Sequence, residues 1–179
     1  MKKIMKYDQF LSESDSYEFG CAMIEVPFAD WNQITSMVDP EDVYEVEGDR
    51  SYGIQDNPHV TILYGLHKGV SPDDIKAVID RFSGDLRVKI DGIGIFENED
   101  FDVVKLNVVP DGGLQQLHEM ISELPNSDQY PEYKPHITIA YVKKGCGRKY
   151  EDARFSREIA YISEICYSMP GGRKEYFEI

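Results

Sequence analysis

The sequence predicts an α+β fold: a single bilobal domain with a pseudo-twofold internal repeat, antiparallel or mixed sheets lining a central cleft, and helices outside. Three observations predict it. The segment Pro58-His59-Val60-Thr61-Ile62-Leu63-Tyr64 returns 77 positions later as Pro135-His136-Ile137-Thr138-Ile139-Ala140-Tyr141. Runs rich in Val, Ile and Phe alternate with two helical patterns. At 179 residues the chain is long enough for one sizeable core, and no linker or low-complexity tract divides it.

Residues 1–16 are polar, with only Ile4, Tyr7, Phe10 and Leu11 at helical spacing, and are expected to form a frayed helix or tail outside a domain of residues 17–179. A first strand spans about Tyr17 to Val26 and ends at Pro27, and a short helix from Ala29 to Val38 turns Trp31, Ile34 and Val38 inward. Trp31 reads as core. The acidic stretch Asp39 to Asp56, with turns at Gly48 and Gly53, reads as a hairpin of Val43–Val46 and Ser51–Ile54 or as a mobile flap. After the first repeated strand, 59–65, Ser71-Pro72-Asp73-Asp74 starts an amphipathic helix running to Phe82.

Leu86 to Phe96 and Phe101 to Val109, joined by Glu97-Asn98-Glu99-Asp100, fit a β-hairpin. A second helix fills Leu114 to Leu124, with Leu114, Leu117, Ile121 and Leu124 on one face. A loop from Asn126 to Pro135 leads into the second repeated strand, 136–142. A Gly- and Lys-rich loop at 143–149, a strand from Glu158 to Tyr167, a turn at Pro170-Gly171-Gly172 and a strand from Tyr176 to Ile179 complete the chain.

Composition narrows the function. The chain is 41% apolar and 29% charged, and no apolar run approaches the ~20 residues of a membrane span. Its start, Met1 to Tyr7, lacks the apolar stretch of a secretory signal, so a cytoplasmic protein with no membrane partner is expected. Cys21, Cys146 and Cys166 show no C-x-x-C pairing, so buried thiols are expected and neither a disulfide framework nor a metal site. With 19 basic and 33 acidic residues the net charge is −14, a field that repels long nucleic acid and favours a small nucleotide substrate.

In an extended strand His59 and Thr61 share one face, as do His136 and Thr138, while alternation places Tyr64 and Tyr141 opposite, in the packing face. Cleaving a phosphodiester takes a base, an acid and donors for the phosphoryl oxygens. Two imidazoles supply acid and base, because one can be neutral while the other is charged near neutral pH. Each threonine puts a hydroxyl beside them. One histidine alone would read as packing; two in identical context read as a site needing no cofactor.

Paired H-x-T strands in a small two-lobed α+β chain resemble the 2H phosphoesterase superfamily. Phe19-Gly20-Cys21-Ala22-Met23-Ile24-Glu25-Val26-Pro27 resembles the first strand of its RNA-ligase-like and cyclic phosphodiesterase branch, so the resemblance runs from about Tyr17 to the C-terminus. It implies attack, without a metal, on a 2′,3′-cyclic phosphate or on a 3′–5′ (or 2′–5′) linkage. One of His59 and His136 would be base and the other acid, with Thr61 and Thr138 as phosphoryl donors. The superfamily includes phage anti-CBASS nucleases that destroy cyclic oligonucleotide signals. The segment Lys6 to Glu13 looks like the start of small proteins of large tailed phages, which would put the enzyme in the host cytoplasm.

The expected function is therefore hydrolysis of cyclic nucleotides or cyclic oligonucleotides. Its rivals are RNA-end processing at 2′,3′-cyclic phosphates and a non-catalytic nucleotide sponge, which would need no acid and base. Tyr133 and Lys134 would stack on a base or pair with phosphate, or else belong to a solvated loop. Glu164, on a face with Ile162 and Cys166, is at a sheet edge or in the site. Lys143-Lys144 and Arg148-Lys149 would bracket a small cyclic dinucleotide. His67 and His118 read as solvent-exposed.

Overall fold

Two four-stranded antiparallel sheets carry the repeat, and in each the H-x-T strand is an edge. The computed structural model describes residues 18–159 and 162–179. The first sheet has the order β2 (His59–Leu66), β1 (Gly20–Glu25), β7 (Glu164–Ser168), β8 (Lys174–Glu178). The second has the order β5 (His136–Lys143), β4 (Phe101–Val108), β3 (Val88–Glu97), β6 (Asp152–Ile159). The pseudo-twofold therefore matches β2 with β5 and β1 with β4, and it brings the edges β2 and β5 together. The expected tail at residues 1–16, Tyr17, and Ala160 and Tyr161 lie outside the described residues.

Helices close the outer side. α1 (Trp31–Thr35) is shorter than expected, but Trp31, Ile34 and Val38 are buried, and the Trp31 indole donates to the Gln55 carbonyl at 2.7 Å. α2 (Pro72–Ile79) starts with a reciprocal cap: the Ser71 hydroxyl accepts from the Asp74 amide at 3.2 Å and an Asp74 oxygen accepts from the Ser71 amide at 2.8 Å. Such a cap stabilises the helix by about 1 kcal/mol. α2 buries Ile75, Val78 and Ile79, and α3 (Gly112–Ile121) buries Leu114, Leu117 and Ile121 against β2 and α2. No helix among the described residues is long and apolar enough to cross a membrane.

Three expectations are corrected. Residues 39–56 do turn back on themselves as expected, with Val46 bridging Asp49 and the Gly53 amide donating to the Tyr44 carbonyl at 2.9 Å, but they do not stand apart as a flap, because β5 is an open edge and this segment pairs with it. Val43 bridges Val142, Ile54 bridges Ala140, and the Tyr141 amide donates to Gly53 at 3.0 Å. The single strand expected from Glu158 to Tyr167 is two strands in different sheets, β6 ending at Ile159 and β7 starting at Glu164. Most of β6 is absent from the sequence reading because an edge strand such as Asp152-Ala153-Arg154-Phe155-Ser156-Arg157 lacks an apolar face. The basic clusters are engaged within the fold: Lys144 pairs with Asp102 at 3.4 Å, Arg148 with Glu97 at 2.9 Å, Lys149 with Asp42, and Lys143 donates to the Glu41 carbonyl.

Candidate active site

Both H-x-T strands slip register at the same place. Thr61 pairs with Met23 and Leu63 with Ala22, leaving Ile62 as the extra residue; Thr138 pairs with Lys105 and Ala140 with Val104, leaving Ile139. An extra residue in one strand is a β-bulge, and it inverts the alternation beyond it. Tyr64 and Tyr141 therefore come round to the histidine face, which overturns the expectation that they lie opposite. Tyr64 lines the cleft half-buried. Tyr141 is buried in an aromatic cluster with Phe101, Tyr52 and Phe96, and the Phe96 ring meets His136 edge-on at 5.0 Å.

Each histidine is oriented by a mirrored bond. His59 Nδ1 lies 3.0 Å from the Asn57 carbonyl oxygen, and His136 Nδ1 lies 2.9 Å from that of Lys134. A carbonyl only accepts, so Nδ1 carries a hydrogen in both rings. Asn57 and Lys134 each precede a proline, which restricts them to extended backbone and so fixes where these carbonyls sit. Burial is the main cause that pushes His136 down to about 4. The charges of Lys105 and His59 add to it, and the Lys134 carbonyl opposes it.

Lys105 is the residue that the sequence reading missed. It is 8% exposed, sits opposite Thr138, and its ammonium lies 4.3 Å from the Phe96 ring centre while donating to Asn107 Oδ1. Asn107 in turn pairs with His136. A side chain at Gly94 would exclude this arrangement, since a Cβ there would stand 2.8 Å from Asn107 Oδ1. Desolvation, with help from Lys134, pushes Lys105 down to about 8. The signal in the sequence is a lysine among Val103, Val104 and Leu106, a poor place for a charge without a function.

The other expected residues divide. Thr61 and Thr138 are half-buried beside their histidines, and near Thr61 the Cys21 thiol donates to the Ala22 carbonyl at 3.8 Å, its pKa pushed up to about 12 by burial. Tyr133 stands at the cleft, but its hydroxyl donates to the Thr61 carbonyl at 3.0 Å and burial pushes that phenol up, so it supports the first motif. Lys134 is exposed, 3.2 Å from Glu132. His118 is corrected from exposed to half-buried, its Nδ1 donating to the Ile62 carbonyl at 2.7 Å. His67 is exposed, as expected.

Two cavities lie near the first motif, and His59 itself lines neither. One, of about 300 Å³, touches β2 at residues 61–64 and is lined by Thr61, Tyr64, Phe96, Tyr130, Tyr133 and His136. The other, of about 390 Å³, touches residues 57–58 and is lined by Glu25, Glu164, Cys166 and Tyr176. Glu164 is thus apart from the His136 cavity. It is exposed at the start of β7.

The family model of the 2′-5′ RNA ligase superfamily matches residues 26–153, a span holding both H-x-T strands. The chain belongs to this superfamily. These are the 2H phosphoesterases, and this member is a phosphodiesterase of that type. Among solved structures it is similar to Kluyveromyces marxianus Usb1, with a TM-score of 0.59 and 10% identity over 91% of this chain and 99% of that one. It is also similar to Escherichia coli LigT complexed with 3′-AMP, with a TM-score of 0.56 and 18% identity over 92% of this chain and 95% of the other. Usb1 with uridine monophosphate gives a TM-score of 0.55 at 10% identity over 91% and 99%. At these identities the likeness to each is one of fold. No curated protein sequence matches the chain significantly.

Proposed function

We propose that this 2H phosphoesterase cleaves phosphodiester linkages of small cyclic nucleotides and cyclic oligonucleotides without a metal, using His136 as base and His59 as acid. The observation that carries the reading is the mirrored pair of Nδ1 bonds, which orients two imidazoles alike on facing strands. The role of His136 follows from its pKa, pushed down to about 4, because a base must arrive unprotonated.

The step balances with these groups alone. His136 Nε2 takes the proton of the attacking hydroxyl, from water or a neighbouring 2′-OH, as its oxygen bonds phosphorus. The opposite P–O bond breaks, and His59, entering with both ring nitrogens protonated, gives its Nε2 proton to the leaving oxygen. Thr61 and Thr138 donate to the non-bridging oxygens.

A small nucleotide suits the net charge of −14. A linkage between two nucleosides suits a chain with a second cavity at residues 57–58, just ahead of the first motif, since a terminal 2′,3′-cyclic phosphate would occupy one. The ligands named with the neighbours, 3′-AMP and uridine monophosphate, are of the size that one such cavity takes. The reading extends to destruction of cyclic oligonucleotide signals in the cytoplasm, as a phage counter-defence enzyme would perform.

Turnover in excess EDTA of cyclic mononucleotides, cyclic di- and trinucleotides, and an RNA ending in a 2′,3′-cyclic phosphate tests it, with the double His59→Ala, His136→Ala variant as control. Cleavage of the cyclic oligonucleotides, absent in the variant, is expected. Cleavage of the RNA end alone would make this an RNA-processing enzyme. Binding without turnover would make it a sponge.

A further inference from the structure

A buried lysine with no carboxylate partner is costly, because its desolvation is not offset by an ion pair. Lys105 is such a residue. Among the described residues its ammonium has the Asn107 oxygen and the Phe96 ring as neighbours, and no acidic group within ion-pair distance. The same two neighbours belong to His136: Asn107 sits opposite it in the sheet, and Phe96 presses on its ring. A strand that only had to pack would carry an apolar residue here.

We propose that Lys105 is the positioning residue of His136: its ammonium, tethered by Asn107 and confined under Phe96, denies that imidazole a second proton and so makes it the proton acceptor of the pair. This rests on the preceding section only for the use made of His136. The remaining charges around the ring do not cancel the effect. From the facing strand comes His59, and from the loop before β5 comes Lys134, both of the same sign when protonated. The carboxylates of Glu97, Asp128 and Glu132 line the cleft beside His136, and Glu151 acts on Lys105 from beyond β5. Glu97 and Glu132 are engaged by other cations, Arg148 at 2.9 Å and Lys134 at 3.2 Å. Burial is the larger cause of the neutral His136, so the lysine adjusts an imidazole already disposed to be neutral.

The test is a titration of the His136 ring by NMR in the full chain, for the wild type, Lys105→Met and Lys105→Arg. Removing the charge while keeping the bulk should move the midpoint up from about 4. A shift of roughly half to one pH unit is the size expected for a like charge that shares the Phe96 ring as a neighbour in a partly screened setting. Lys105→Arg, which keeps the charge, should leave the midpoint where it is. An unmoved midpoint in Lys105→Met overturns the proposal, as would an equal shift in both variants, which would report repacking. Lys105→Gln serves in the same comparison if the methionine variant does not fold. The ring's own titration is the readout, so lack of turnover would sink the phosphodiesterase reading and leave this result standing.

Discussion

The rings of His118 and Tyr133 stack at 3.9 Å with 6° between their planes, and each side chain then bonds the backbone of β2 next to the bulge. Tyr133 donates to Thr61 and His118 to Ile62. A helix and a loop of the second half thus hold the first motif in its slipped register, and the two halves of the site are not independent.

Tyr133→Phe keeps the stack and removes one hydrogen bond. The loss should be about 1 kcal/mol of stability, the ordinary net worth of such a bond. With Thr61 less well held, kcat should fall several-fold while KM changes little, since the ring surface toward the cavity remains. Urea unfolding alongside steady-state kinetics checks both. A change confined to KM would mean that the hydroxyl binds substrate.

The pH dependence follows from His136. Its pKa is lowered to about 4, so the ring is unprotonated throughout the range in which an ordinary histidine would have gained a proton. The acid limb of kcat/KM should therefore lie near pH 4, with activity persisting through pH 5 and 6. A limb near 6.5 would show that His136 is not the base. The same shift affects stability: between pH 6.5 and 4 the unfolded chain binds the proton that the folded chain refuses, so stability should decline as pH falls through that window.

His59→Ala and His136→Ala should each lower kcat by about 10²–10⁴-fold, the range for loss of a general acid or base. The double variant should be little worse than either, because the two act in one step. Independent, multiplying losses would count against concerted proton transfer. Single-turnover measurements on the chosen cyclic substrate would separate the cases.

Much of this was legible in the sequence. The paired strands, the capped helix after Ser71 and the hairpin at residues 97–100 follow from alternation and turn chemistry, which act within a few residues. What escaped depends on partners far along the chain. The bulges at Ile62 and Ile139 show only against β1 and β4, and with them went the true faces of Tyr64 and Tyr141. The turn in the stretch 39–56 is local and legible, but its docking on the open edge of β5 depends on residues almost a hundred positions away. Lys105 was visible as an anomaly among valines, yet only the sheet register puts it beside Thr138.

Lys105 should also reveal itself as a burden on the fold. Its pKa is lowered to about 8 from 10.5, so the unfolded chain holds this proton more tightly. The cost of burying the charge is complete below pH 8 and is relieved as pH rises toward 10.5, where both states lose the proton. Lys105→Met should thus be more stable than the wild type at pH 7, by roughly 1–2 kcal/mol after allowing for partial solvation of the ammonium. The difference should shrink as pH climbs from 8 to 10.5. Urea midpoints at pH 7 and pH 10 give the comparison. Greater stability joined to lower activity would mark a residue kept for function against the interest of the core. A variant less stable at pH 7 would instead make Lys105 part of the packing, its stem and its bond to Asn107 outweighing the desolvation of its charge.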